Sequence, residues 1–118
     1  IAPYMVRRLK DSWKGYAHEW GLEREQLPEE TYRERVWADT TSFYLPAMKC
    51  CLEWLGPEHM MLGTDYAHRV GDPEGAIKSL VDLGEELELP QDQVDMMLGK
   101  NAEELFNLPP LSSYPANK

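Results

Sequence analysis

The chain has 118 residues, enough for one domain of ordinary size. Its formal net charge is −9, and the acidic residues are spread along the chain rather than gathered in one block. Phosphate binding needs clustered Lys and Arg, and the only compact basic group is Arg7, Arg8 and Lys10, so we predict no nucleic-acid partner. No apolar run approaches the roughly 20 residues that span a bilayer, so we also predict no membrane association.

The first third of the chain predicts a helix over residues 4–20, which Gly21 ends. Its apolar side chains recur every three or four residues and form one stripe: Met5, Leu9, Trp13, Tyr16 and Trp20. The strongly charged stretch 22–34 follows, and Pro28 within it indicates the start of a short helical turn.

The middle of the chain predicts two strands with a helix between them. Residues 36–41 form the first strand candidate, and Ser42 is the predicted cap of a helix that runs to about Leu55. Pro46 suits the first turn of that helix, and Gly56 with the proline after it ends the helix. The second strand is predicted over about 59–64.

Cys50 and Cys51 are neighbours on this predicted helix. Adjacent helical residues point about 100° apart, and a disulfide between adjacent residues is strained, so we predict two buried free thiols. Free thiols are typical of a reducing compartment, and we therefore predict a cytoplasmic protein.

The last third predicts a helix over 74–87 and a final helical segment that Pro90 opens, with a break at Gly99. Residues 109–118 are predicted to form a loose tail. The tryptophans and most methionines are predicted core residues: Trp13, Trp20, Trp37, Trp54, Met48, Met60, Met61, Met96 and Met97.

The predicted element order is helix, strand, helix, strand, helix, helix, which indicates βαβ units and a parallel sheet. Two parallel strands are too few for a stable sheet, because a parallel sheet needs more strands and cover on both faces. The chain is therefore predicted to be a slice of a larger α/β fold.

The most informative motif is Gly63-Thr64-Asp65, at the end of the short apolar run 59–62 and before a polar loop. This pattern places a carboxylate at the carboxyl end of a strand, where ligands and metals lie in parallel α/β folds. It predicts a metal-dependent enzyme.

Residues 62–66, with Gly99-Lys100-Asn101-Ala102 and Glu103-Glu104-Leu105-Phe106 some 35 residues later, resemble the C-terminal end of the amidohydrolase-related family. The similar branch includes aminocarboxymuconate-semialdehyde decarboxylase. Residues 37–40 resemble strand seven of that family, residues 55–65 its passage into strand eight, and residues 1–9 the stretch after strand six. The resemblance covers about residues 1–108.

This resemblance implies that residues 1–108 are the C-terminal part of a (β/α)8 barrel, about strands seven and eight with flanking helices. Family members hold a divalent metal with a His-x-His pair, a further His and a strand-eight Asp. Only the Asp carries over, onto Asp65, as metal ligand and catalytic carboxylate. None of His18, His59 and His68 matches a missing ligand, and strands one to six are expected to be absent from the chain.

Other candidate residues have weaker patterns. His68 is a candidate substrate contact, with an exposed loop histidine as the alternative. Arg8, or Arg7 in its place, resembles an arginine that binds a substrate carboxylate in the family, and the alternative is a solvated helix face. Asp39 is expected to be a hydrogen-bonded loop residue, and Asn101 is expected to cap the final helix.

We therefore predict the C-terminal fragment of a metal-dependent hydrolase or decarboxylase that acts on a small carboxylic acid. The expected cofactor is zinc, with manganese as the alternative, and the chain alone is expected to be inactive. The expected partners are a second copy or the missing barrel part, because exposed apolar stripes favour association. The alternatives are a non-catalytic helical module that folds by oligomerising, and one subunit of a split enzyme.

Overall fold

The computed structural model describes residues 2–21, 28–109 and 113, and the chain divides into two compact units, Ile1–Trp37 and Ala38–Lys118. Parts of the predicted tail, residues 110–112 and 114–118, lie outside the described residues, as do residues 22–27 of the charged stretch.

In the first unit the described residues form two helices, α1 at Ala2–Tyr16 and α2 at Pro28–Arg35. Helix α1 ends four residues earlier than predicted, and the turn after it closes at Gly21, whose φ is 64°. Lys10 Nζ of α1 lies 3.0 Å from Glu29 Oε2 of α2. The predicted apolar stripe is largely exposed, and Trp20, predicted to be core, is 59% exposed and stacks on Tyr16 with ring centres 5.5 Å apart.

The described residues of the second unit form a two-stranded parallel sheet and four helices. Strand β1 is Ala38–Asp39 and strand β2 is Met60–Met61, with Ala38 opposite Met60 and Asp39 opposite Met61. The helices are α3 at Leu45–Leu55, α4 at Pro73–Glu86, α5 at Gln91–Asp95 and α6 at Asn101–Leu105. A 3₁₀ turn at Pro57–His59 leads into β2.

Both strands are shorter than predicted. The amide of Val36 still bonds to Tyr32 O at 2.9 Å, so the turn of α2 extends into the predicted strand. Beyond Asp39 the chain turns at once, because Phe43 has a φ of 48° and its amide bonds to Thr40 O at 3.0 Å. The parallel arrangement is as predicted.

Two predicted helix features were wrong. The cap of α3 is Tyr44 rather than Ser42, which leaves Pro46 in the first turn as expected. Gly99 does not break the final helical segment, because it lies inside a π-helical turn, Met96–Lys100, that joins α5 to α6 with helical backbone throughout.

The core lies where α3, β2, α4 and the π-helical turn meet. Its buried cluster consists of Met48, Leu52, Met60, Leu80, Leu83 and Met97. All buried hydrophobic side chains of the described residues belong to the second unit. Five residues that were predicted to be core are only half-buried: Met61, Met96, Trp13, Trp37 and Trp54.

The fold is mostly helical with two short parallel strands. This is the arrangement expected for a segment of a (β/α)8 barrel, in which each parallel strand is followed by a helix.

Candidate functional site

The carboxyl ends of β1 and β2 meet at a junction formed by Asp39, Thr40, Thr41 and Gly63. Thr40 is fully buried, and its Oγ1 accepts a hydrogen bond from the Gly63 amide at 3.1 Å. Because the strands are parallel, whatever follows Gly63 leaves the sheet at the same edge as Asp39. We call these four residues the strand-end junction.

Gly63 is required for this close approach. A Cβ on Gly63 would lie 2.8 Å from Thr41 Cγ2 and 2.9 Å from Asp39 Cβ, closer than real side chains pack. The glycine therefore lets the β1 end pack directly against the β2 end.

A loop of seven residues, Asp65–Gly71, follows the junction, and its ends are held together. The Asp72 amide donates to Thr64 O at 3.1 Å, and the Asp72 side chain then caps α4 by accepting from the Gly75 amide at 2.9 Å. Helix α4 thus anchors the closing end of this 65–71 loop.

Inside the loop the backbone is tightly folded. Asp65 has a φ of 51° and Ala67 a φ of 71°, both in the left-handed region that L-residues seldom adopt. A Cβ on Gly71 would lie only 2.2 Å from Asp65 O, so no larger residue fits there without moving the loop. The loop therefore holds Asp65 in a defined backbone conformation.

The structure brings the predicted site residues Asp65 and His68 together. His68 Nδ1 lies 3.8 Å from Asp65 Oδ2, the two side chains are 69% and 43% exposed, and the His68 amide donates to Asp65 O at 3.0 Å. The pair is an ion pair only when the imidazole is protonated. Both groups face solvent, so each can contact a ligand or a second segment of protein.

Asp39 lies at the same edge, as predicted for the end of the first strand. Its Oδ1 accepts from the Thr41 amide at 3.1 Å and from Thr41 Oγ1 at 2.5 Å. This is the hydrogen-bonded loop aspartate expected from the sequence, and one of its carboxylate oxygens is thereby committed to the turn.

Arg8 is exposed on α1 and belongs to the first unit, whereas Asp65 and His68 belong to the second. Its neighbour Arg7 is paired with Asp11, with Nε and Oδ2 2.9 Å apart, and this hydrogen bond and the opposite charge raise the pKa of Arg7. Arg7 is therefore already paired within its own helix.

The described residues do not form a complete metal site. No group of three His, Cys, Asp or Glu side chains in them is placed to hold a metal ion. Asp65 fits as a single carboxylate ligand, since it is half-exposed at a strand end, but zinc needs three or four ligands. A metal bound at Asp65 would need its other ligands from outside the described residues.

The two cysteines are free thiols, as predicted, although they are half-buried rather than buried. Burial raises the pKa of the Cys51 thiol, and the neighbouring Cys50 raises it further. The thiol of Cys51 is thus kept protonated at neutral pH, which is typical of an inert cysteine.

Asn101 was predicted to cap the final helix, and this was wrong. Asn101 has helical backbone angles, and the cap position is Lys100. The Asn101 side chain is instead buried and donates from Nδ2 to Pro57 O at 2.7 Å and to Met60 O at 2.8 Å. It attaches α6 to the start of β2.

Sequence reasoning missed Thr40 and Gly71. A threonine in a strand candidate gives no sign that its hydroxyl will be buried against a residue 23 positions later. Gly71 did carry a local signal, because a glycine two residues before Pro73 is typical of a tight turn into a helix.

Within the part of the chain that the structure describes, no helix is both long enough and apolar enough to span a membrane.

Comparison with known proteins identifies the fold and the family. The family model described as amidohydrolase matches residues 2–108. A search of curated proteins gave no match. Among solved structures, the chain is similar to 5-carboxyvanillate decarboxylase LigW from Sphingomonas paucimobilis, with 23% identity and a TM-score of 0.74.

A second similar structure is the apo form of Metarhizium anisopliae IDCase, with 17% identity and a TM-score of 0.68. Each alignment covers 91% of this chain and 31% of the solved one. The chain thus spans about a third of the length of the structures it matches, and the likeness shows the fold.

Proposed function

The chain belongs to the amidohydrolase family, and on that premise we propose that it supplies the strand-end aspartate, Asp65, to the metal site of a barrel enzyme. The observation that carries the proposal is the fixed placement of Asp65 beside the strand-end junction. Asp65 is held in the left-handed region at the carboxyl end of a parallel strand, the edge at which barrel enzymes place their catalytic groups.

The proposed cofactor is a divalent metal ion, zinc or manganese, of which Asp65 is one ligand. A bound ion of this kind supplies Lewis-acid chemistry and lowers the pKa of bound water to about 7. The remaining ligands come from the segments that complete the barrel. The contribution of this chain is to hold one carboxylate at a fixed position and to keep its charge accessible.

The proposed substrate is a small carboxylic acid. The support is the fold that this chain shares with a 5-carboxyvanillate decarboxylase, although the identity is only 23%. We propose that Arg8 binds a substrate carboxylate, because a guanidinium can donate two parallel hydrogen bonds to it. The alternative, Arg7, is already paired with Asp11 within its own helix.

His68 is the second proposed substrate contact. Its imidazole is 69% exposed and lies 3.8 Å from the Asp65 carboxylate, so a substrate beside Asp65 can reach it. A histidine side chain can donate or accept a hydrogen bond, so it can contact a polar group of a bound substrate. The proposed setting is the cytoplasm, supported by the two free thiols.

The test uses protein purified through a tag on this chain from the cells that naturally make it, so that whatever completes the barrel is retained. Release of CO₂ is measured with a set of small aromatic carboxylic acids for the unchanged protein and for Asp65→Asn. We expect turnover by the unchanged protein. Turnover should fall in Asp65→Asn by more than about 10–100-fold, which is the usual effect of losing a residue that only hydrogen-bonds to a metal ligand.

The matched control is Asp82→Asn. The Asp82 side chain is 44% exposed, close to the 43% of Asp65, but it pairs with Lys78 on α4. Turnover that persists in Asp65→Asn, or that falls equally in Asp82→Asn, would count against the proposed role of Asp65.

A second candidate function is a non-catalytic helical module that folds by oligomerising. The observation that favours it is the exposed apolar stripe of the first unit, where Met5 is 40%, Tyr16 51% and Trp20 59% exposed. It predicts a defined oligomer without metal and without turnover, which the same purified protein would reveal.

A further inference from the structure

We propose that Thr40 is a positioning residue for Asp65, whose buried hydroxyl holds the end of β2 against the end of β1. The inference rests on the proposed function, because only there is Asp65 a metal ligand. The proposed role of Thr40 involves no contact with metal or substrate. It acts through Gly63, two residues before the aspartate.

The first observation is that the Thr40 hydroxyl is fully buried. Thr40 and Asn101 are the two buried polar side chains of the described residues. Burying a hydroxyl without a partner costs free energy, and this hydroxyl has its partner in the Gly63 amide at 3.1 Å. A valine would fill nearly the same volume but could not accept that hydrogen bond, so packing alone does not explain the threonine.

The second observation is that Thr40 is fixed from its own side. Its carbonyl accepts from the Phe43 amide at 3.0 Å, which closes the turn after β1. A hydroxyl on a firmly placed residue is a fixed point of attachment for the strand beside it. The bond spans 23 residues of sequence, so it joins two elements rather than stabilising a local turn.

The third observation is that the short segment from Gly63 to Asp65 is held by hydrogen bonds at Gly63 and at Thr64. Gly63 is attached to Thr40, and Thr64 O accepts from the Asp72 amide at 3.1 Å. Asp65 comes next, with its φ of 51°. If the Gly63 bond is lost, the chain that leads into the 65–71 loop loses one of its hydrogen bonds to neighbouring elements, and we expect the position of Asp65 to be less well defined.

The test compares Thr40→Val, which removes the hydroxyl, with Thr40→Ser, which keeps it. The control is Ser79→Ala, since the Ser79 hydroxyl is also hydrogen-bonded, at 2.8 Å to Ala76 O, but Ser79 is half-buried and its bond lies within α4. All are made in the tagged protein from its natural cells. Two quantities are measured: zinc affinity by chelator competition, and amide hydrogen exchange of peptides covering residues 61–66 and 78–85.

We expect Thr40→Val to weaken zinc binding by about 10-fold or more, the usual effect of losing a group that orients a metal ligand. Exchange should accelerate in the 61–66 peptide and stay unchanged in the 78–85 peptide of the core helix. Thr40→Ser should keep zinc affinity near that of the unchanged protein, and so should Ser79→Ala.

The outcomes separate this inference from the proposed function. If Asp65→Asn loses zinc while Thr40→Val retains it, the positioning role is overturned and the proposed function stands. If Asp65→Asn retains zinc, the proposed function fails and the inference with it. If amide hydrogen exchange in Thr40→Val is fast in both peptides, the Thr40→Ser variant decides between the outcomes. Zinc affinity that is retained in Thr40→Ser supports the positioning role. A loss of zinc affinity as large as that of Thr40→Val overturns it.

Discussion

Asn101 is the clearest example of a single side chain that joins distant parts of the chain. Its Nδ2 donates to the carbonyls of two residues that lie 44 and 41 positions earlier, Pro57 and Met60. Asn101 lies in the motif 99–106 that resembles the amidohydrolase-related family, and the sequence predicted that it caps the final helix. The packing of α6 against β2 shows instead that the side-chain amide of Asn101 donates hydrogen bonds to the carbonyls of Pro57 and Met60.

Replacement of Asn101 is therefore expected to destabilise the protein. Asn101→Ala should lower the free energy of unfolding by about 2 kcal/mol, because the buried carbonyl of Met60 and the half-buried carbonyl of Pro57 lose their donor. Asn101→Asp is the near-isosteric control: an ionised carboxylate has no donor, so it should destabilise at least as much. Urea denaturation measures both, and an unchanged unfolding free energy in either variant would contradict this role.

Asp95 gives a pH-dependent prediction. The hydrogen bond from the Gln91 side chain, and then that from Lys100, lowers the pKa of Asp95. Because the pKa in the folded state lies below the unfolded value of about 3.9, the stabilisation is complete above that pH. It is lost as the pH falls through the folded pKa.

Asp95→Asn should accordingly lower the unfolding free energy at pH 6 by more than at pH 3. Urea denaturation of both proteins at the two pH values gives this difference. A difference that stays constant with pH would show that these hydrogen bonds do not favour the charged carboxylate.

At the scale of elements, the sequence located the strands and helices but not their ends. Apolar periodicity and Gly or Pro signals predicted α3, α4 and both strands in the right order. The strands were predicted too long because β-branched residues at 36 and 40–41 suit a strand. The Val36 amide instead bonds to Tyr32 O in a helical turn, and Thr40 lies in the strand-end junction.

The position of Asp65 at a strand end could be predicted from its motif, since the signal is local. The groups that hold it could not. Thr40 reaches Gly63 across 23 residues, and the need for glycine at 71 arises from its contact with Asp65 O. Such contacts depend on how elements pack, which periodicity does not encode.

Gly71→Ala tests the 65–71 loop as an element. The added Cβ would lie 2.2 Å from Asp65 O, so the loop must move, and we expect destabilisation of about 1–3 kcal/mol. Gly99→Ala is the control, because nothing lies within 4 Å of its added Cβ. It should be neutral or stabilise by up to about 1 kcal/mol.

Thermal unfolding distinguishes the two glycine variants. If Gly71→Ala matched the stability of the unchanged protein, the close approach between residues 71 and 65 would not constrain the loop.

At the scale of the whole molecule, the chain has the fold of a barrel segment and spans about a third of the enzymes it resembles. The two strands in the part of the chain that the structure describes do not close a barrel sheet, since a barrel of this class has eight. The exposed apolar side chains of α1 and the turn after it, together with Tyr66 at 82% and Phe106 at 62% exposure, are available for contact with further segments.

Association is therefore expected. Sedimentation of the 118-residue chain should show self-association at micromolar concentration, because large exposed apolar patches favour it. Replacing Trp20 and Tyr16 by Gln should weaken that association, because both side chains are more than half exposed. A monomer at all concentrations would contradict the prediction.

Metal content tests the central claim most directly. Protein tagged on this chain is purified from its natural cells, and zinc and manganese per chain are measured for the unchanged protein, Asp65→Asn and Asp82→Asn. We predict about one metal ion per chain in the unchanged protein and in Asp82→Asn, and little in Asp65→Asn. Equal metal in all three proteins, or none in the unchanged one, would contradict the claim that Asp65 is a metal ligand.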